Sequence, residues 1–190
     1  LNAHVAGQEE TKRAAALAGF LHLSKLIYHQ KNDNSSIKSS NALFTGPTGC
    51  GKTFIAQTLA KQLGLPFLDI DARSLTNTGY VGTDISEVFS EFRKSLPKEL
   101  HHMLPYTVVF IDEFDKICQK QSSSVSREWD LSLQHSLLKL IEGKEIRFSN
   151  KLSDTTPIRT HNMLFIFGGN FQALRDKPEN TIIEIGRAHV

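Results

Sequence analysis

Cysteine is scarce in this sequence: Cys50 and Cys118 are the only two in 190 residues, too few for a disulfide framework. Two thiols suit a reducing compartment, so cytoplasm or an organelle matrix is expected. No apolar run approaches the ~18 residues of a membrane-spanning helix, and no cleavable leader pattern opens the chain. Charge of one sign is lacking as well. Twenty-two Lys and Arg stand against 20 Asp and Glu, which leaves no basic field to argue for nucleic acid or an anionic membrane. Internal repeats, heptads and low-complexity tracts are missing, and Ser122-Ser123-Ser124 is only a polar loop. Leu1 stands where a start Met would be, so a fragment is expected. At the far end, Glu184-Ile185-Gly186-Arg187-Ala188-His189-Val190 matches one reading frame of a common sequencing adapter and is set aside from the fold as an artefact.

The rest of the chain has the length and apolar content of one α/β domain. Leu17, Phe20, Leu21, Ile27 and Tyr28 recur at helical spacing and predict a helix over 8–30. Ala42-Leu43-Phe44-Thr45 predicts a short strand. Gly46-Pro47 ends it, and a helix carrying Ile55, Leu59 and Leu63 follows. A second strand is expected over 66–70. Asp84 and Glu87 read as a capping box for a helix that presents Ile85, Val88, Phe89, Phe92 and Leu96 and stops before Pro97. The unbroken apolar run 107–111 predicts a strand covered on both faces. Leu133, Leu137, Leu140 and Ile141 mark a helix ended by Gly143, and 163–167 a last buried strand before Gly168-Gly169. Strands alternating with helices imply βαβ units and a parallel sheet with helices on both faces.

Gly46-Pro47-Thr48-Gly49-Cys50-Gly51-Lys52-Thr53 satisfies GxxxxGK[ST] between a predicted strand and a predicted helix, the context a phosphate loop requires. Its glycines let backbone N–H groups and the helix N-terminus face phosphates, Lys52 reaches the β/γ oxygens, and Thr53 meets magnesium. Cys50 occupies an unconstrained position and reads as a small filler. Downstream, Val108-Val109-Phe110-Ile111-Asp112-Glu113 sets two carboxylates at a buried strand's end, the Walker B pattern. Asp112 is expected to hold hydrated magnesium and Glu113 to polarise the attacking water. Without the phosphate loop, such a pair would read as a helix cap. Asn170, after the last strand and two glycines, could orient that same water or simply make a turn. Gly79-Tyr80-Val81-Gly82 sets an aromatic between two hinges, where composition favours a Tyr packed on the core. His101-His102, without further ligands, reads as a solvated loop.

Together these stretches resemble the ClpX/HslU branch of AAA+ unfoldases, ClpX most of all. Val5-Ala6-Gly7-Gln8, the phosphate loop, Gly79–Gly82, Ile111-Asp112-Glu113-Phe114-Asp115-Lys116-Ile117, Leu137-Leu138-Lys139-Leu140-Ile141-Glu142-Gly143 and Leu164-Phe165-Ile166-Phe167-Gly168-Gly169 follow the family's order and spacing. The resemblance implies a P-loop NTPase large subdomain without its helical lid. Residues 1–183 then form a truncated nucleotide-binding core and 184–190 lie outside it. It further implies ATP and magnesium as cofactors and a ring of subunits, a homo-hexamer. The partners it implies are protein substrates and a ClpP-type or HslV-type protease, with no nucleic acid and no membrane. Val5 and Ala6 would lie near the adenine, and Tyr80 and Val81 would line a pore that grips unfolded polypeptide.

Departures are visible too. Ala6 replaces the family's Ile, Trp129-Asp130-Leu131-Ser132-Leu133-Gln134 replaces a glycine-rich pore segment, and no Arg-Lys-His loop lies between Gly143 and Thr160. No arginine finger is assignable, because Arg187 falls in the set-aside tail. Readings to separate from an unfoldase ATPase are a nucleotide-gated binding module without turnover and another AAA+ remodelling role. A GTPase is disfavoured, since no guanine-reading NKxD sequence occurs.

Overall fold

Strand β3 (Val108–Asp112) shows why this sheet needs cover on two sides. Val108 and Phe110 point to one face, Val109 and Ile111 to the other, and all four are shielded from solvent. The computed structural model describes residues 1–31, 41–75, 84–118, 124–143, 145–146 and 157–171. In chain order the helices are α1 (Glu9–Lys31), α2 (Lys52–Leu63), α3 (Ile85–Ser95), α4 (Phe114–Cys118) and α5 (Ser124–Ile141). The other strands are β1 (Ala42–Thr45), β2 (Phe67–Asp71), β4 (Glu145–Ile146), β5 (Ile158–Arg159) and β6 (Leu164–Gly169). Three-residue 3-10 turns follow β2 and precede β6, and a longer 3-10 segment, Lys98–Tyr106, leads into β3.

The main sheet is parallel throughout, in the order β1-β6-β3-β2, as the βαβ reading requires. Its alternation sorts the core into two layers. Phe44, Val108, Phe110, Leu164 and Ile166 pack with Ile55 and Leu59 of α2 and Ala15 of α1. Leu68, Ile70, Val109, Ile111 and Phe165 pack with Phe89 of α3 and with Leu133, Leu137 and Leu140 of α5. Each buried side chain of this size contributes about 1.5–3 kcal/mol through loss of apolar surface to water. A short antiparallel pair, β4 with β5, was not foreseen from the sequence.

The first helix forms where expected but presents the opposite face. Leu17, Phe20, Leu21, Ile27 and Tyr28 are exposed, and the buried positions are Lys12, Ala15, Ala18, His22 and Lys25. Close approach decides this. A Cβ on Gly19 would lie 2.9 Å from Leu59 and 3.4 Å from Leu63, so the small side of α1 sits against α2. The two buried lysines are satisfied: Lys12 Nζ donates to Glu9 Oε1 at 2.7 Å and to Val5 O at 3.2 Å, and Lys25 Nζ donates to His161 O at 2.6 Å. Asp84 caps α3, but its partner is Ser86. The Ser86 N–H and hydroxyl both donate to the Asp84 carboxylate, at 3.3 and 3.0 Å.

Two glycines at the end of β6 leave no room for side chains. A Cβ on Gly168 would meet Phe110 Cζ at 2.6 Å and Asp112 Oδ1 at 3.0 Å. Gly168→Ala is therefore expected to cost about 1–3 kcal/mol by overpacking, seen as a melting point lower by several degrees. An unshifted melting point would show that the strand end yields without strain.

His22 supplies a second expectation. Burial, and then the Lys25 ammonium, bring its imidazole down to about 4 from the ordinary 6.5. An unfolded chain binds that proton near 6.5 while the folded one resists it until about 4. Stability from this source is thus whole above the upper value and falls as pH drops through the window, by about 3 kcal/mol in total. His22→Leu should flatten the acid slope of urea midpoints between about pH 7 and 4.5, and an unaltered slope would assign it to other groups.

Candidate nucleotide site

The site is built at the C-terminal ends of β1, β3 and β2, where a parallel sheet presents its loops. After β1 the chain is tied to the neighbouring strand by Gly46 N–H donating to Gly169 O at 3.1 Å. It then wraps through left-handed backbone at Gly49 (φ 81°) and Gly51 (φ 89°) into α2. Only glycine takes such angles without strain, and the turn brings the first amides of α2 to the loop. Lys52 Nζ donates to Gly46 O at 2.9 Å and Pro47 O at 3.0 Å, so its ammonium is aimed back across the loop. Cys50 Sγ lies 3.9 Å from the same ammonium.

Opposite the loop, β3 ends in Asp112 and Glu113. The Thr53 hydroxyl donates to Asp112 Oδ2 at 3.2 Å, which joins the start of α2 to the end of β3 across 59 residues. Glu113 adopts φ 54°, and its N–H donates to Asp112 Oδ1 at 2.8 Å. A left-handed non-glycine residue is strained, and it persists only where its surroundings hold it. Glu113 Oε2 forms an ion pair with Arg73, 2.8 Å from its Nε. Arg73, on the 3-10 turn after β2, is itself gripped by Asp71, with Nε to Oδ1 at 3.2 Å and Nη2 to Oδ2 at 2.8 Å. That fork holds the Asp71 carboxyl below its ordinary range. The Asp69 carboxyl is pushed up, first by desolvation and then by Asp112 and Asp71.

Thr48, Gly49, Gly51, Lys52, Thr53, Phe54, Asp112 and Glu113 line a cleft of about 260 Å³. Seven predicted residues of the phosphate loop and Walker pair thus line one cleft together with the unforeseen Phe54. Gly46, Pro47 and Cys50 complete the loop outside that lining. Val5 is buried with the apolar layer under α1 and α2, and Ala6 beside it is exposed. Asn170 is half-buried, one residue past β6. Tyr80, Val81 and the 184–190 tail lie outside the described residues, as do the side chains of Trp129, Asp130, Leu131 and Ser132 from the stretch 129–134. Arg73 and Asp71 were missed by sequence reading, because nothing in a D-x-R after a strand marks which neighbour it will reach. Phe54 carried a faint signal, its place directly after Lys52-Thr53.

Two hard oxygens, Thr53 Oγ1 and Asp112 Oδ2, converge within hydrogen-bond distance beside the cleft. A small divalent cation that keeps several waters and takes few protein ligands fits such a pair. Among the described residues no three of His, Cys, Asp and Glu converge as a separate metal site. Nor is any described helix long and apolar enough to cross a membrane.

Comparison with known proteins agrees with this geometry. Residues 42–189 match the model of the ATPase family associated with various cellular activities. Among curated proteins, the chain is 34% identical over 187 residues to the ATP-dependent Clp protease ATP-binding subunit ClpX of Porphyromonas gingivalis, covering 93% of this chain and 45% of that protein. It is 37% identical over 190 residues to ClpX of Bacteroides fragilis (93% and 44%), and 34% identical over 201 residues to ClpX of Azotobacter vinelandii (95% and 45%). The chain spans less than half the length of these relatives. A phosphate loop facing an acidic strand end on a parallel sheet, joined to a family match over most of the sequence, makes this chain a member of the AAA family of ATPases.

Proposed function

We propose that this chain is the ATP-binding and ATP-hydrolysing core of a ClpX-like protein unfoldase. The observation that carries the reading is the contact between Thr53 and Asp112, which sets the phosphate loop and the acidic pair on one cleft. Gly46 to Thr53 wrap the phosphates, with backbone N–H groups and the first turn of α2 as donors. Lys52 sets its ammonium against the β/γ oxygens, taking charge that builds as the terminal phosphoryl group departs. Thr53 and Asp112 would hold magnesium, Asp112 through water; when bound, that ion neutralises phosphoryl charge. Glu113 orients the attacking water and draws its proton, while Arg73 restrains one oxygen of that carboxylate against the end of β2. To Asn170 we assign the same role of water orientation, and to Val5 and Ala6 the base end.

The whole machine is part of the same proposal: a homo-hexameric ring in the cytoplasm or an organelle matrix, Tyr80 and Val81 gripping protein substrates, and a ClpP-type or HslV-type protease receiving them. The relatives support it, since each is named as the ATP-binding subunit of an ATP-dependent Clp protease. Residues 1–183 are its nucleotide-binding core and 184–190 lie outside it.

Two substitutions separate binding from turnover. Lys52→Ala is expected to weaken MgATP binding at least tenfold, whereas Glu113→Gln keeps affinity within about threefold and lowers hydrolysis by 10²-fold or more. Titration calorimetry and phosphate release on the full-length protein check both. Hydrolysis undiminished in Glu113→Gln would refute the catalytic assignment and favour a nucleotide-gated module. For the pore, Tyr80→Ala should leave ATP hydrolysis within about twofold of the parent and reduce unfolding of a stable test protein at least tenfold. Untouched unfolding would remove the threading role.

A further inference from the structure

Before α1 begins, the chain makes a turn that its own residues do not favour. Gly7 (φ 67°) and Gln8 (φ 54°) are both left-handed. Glycine takes that backbone freely, but a Gln there is strained and persists only when its surroundings hold it. Two side chains do so. Buried Lys12 donates Nζ to Val5 O at 3.2 Å on one flank of the turn. On the other, Gln8 Nε2 donates to Cys50 O at 2.7 Å, a contact across 42 residues that lands on the phosphate loop itself.

Which carbonyl Gln8 chooses matters. The peptide between Cys50 and Gly51 is planar and trans, so its C=O and N–H point in opposite directions. With Cys50 O drawn toward Gln8, which does not line the cleft, the Gly51 N–H is turned the other way, and Gly51 does line the cleft. The φ of 89° at Gly51 lets the plane stand at that angle, and Gly51 O accepts from Ile55 N–H at 2.9 Å to start α2. We propose that Gln8 is a positioning residue for the phosphate loop: its side-chain amide fixes the Cys50–Gly51 peptide so that the Gly51 N–H is presented to a bound phosphate. This rests on the phosphate-loop reading above and adds a residue from outside the motif to it.

The strain supplies a clean test. Gln8→Gly adopts φ 54° without strain, and that relief offsets the lost hydrogen bond and the extra freedom of the unfolded chain, so it folds about as well as the parent while lacking the amide. Gln8→Asn also tolerates left-handed backbone but is one methylene shorter. Both variants of the full chain are titrated with MgADP and with magnesium tripolyphosphate, which has no base or sugar. Expected is a loss of about 3–10-fold for each probe, the size of one hydrogen bond, with melting points within a few degrees of the parent's. Parent-level tripolyphosphate binding in either variant overturns the proposal, including the case in which only MgADP weakens and Gln8 serves the base end alone. A parent that binds neither probe removes the phosphate-loop reading, and the inference with it.

Discussion

The acidic wall of the cleft takes its position from β3, a strand with apolar side chains on both faces and hydrogen-bonded neighbours on both edges. Burial of Val108, Val109, Phe110 and Ile111 leaves that strand no freedom to shift register, because a slip of one residue would exchange the two core layers. The next residue, Asp112, therefore emerges at a fixed height beside Asp71 of β2 and within reach of Thr53. Stability and chemistry meet at this strand end, where the apolar run stops and the carboxylates begin.

The site is electrostatically crowded before any ligand is considered. Asp71, Asp112 and Glu113 gather at the ends of β2 and β3 with Asp69 two residues back along β2, and the rise in the Asp69 carboxyl follows from desolvation and from its acidic neighbours. Arg73 relieves part of that repulsion by pairing with Asp71 and Glu113 together. Lys52 stands on the other wall, held by loop carbonyls that are weaker partners than an anion. Negative charge on one side and a cation with replaceable partners on the other suit a metal-bound polyphosphate lying between them.

Much of this was legible in the sequence because the relevant signals are local. Gly49 and Gly51 announced the left-handed loop, the apolar run announced a doubly covered strand, and the spacing of Lys52, Thr53, Asp112 and Glu113 followed from both. The unread parts are those in which a residue answers to something far away. Leu17 and Phe20 kept a helical period, yet Gly19 and two lysines with carbonyl partners decided which side of α1 faces inward. Asp84 was recognisable as a cap, but whether Ser86 or Glu87 would answer it depended on rotamers. Arg73 gave no sign, and Gln8 stood in a recognisable stretch without showing that its amide reaches across 42 residues to the phosphate loop.

The bare end of β6 carries a consequence for genetics. A methyl group at Gly168 would press at once on Phe110 within the core and on the carboxylate of Asp112 at the cleft. A compensating change that trims Phe110 could restore folding while leaving the acid displaced. Revertants selected for soluble protein and revertants selected for activity should then fall into different classes, and only the second would restore the glycine.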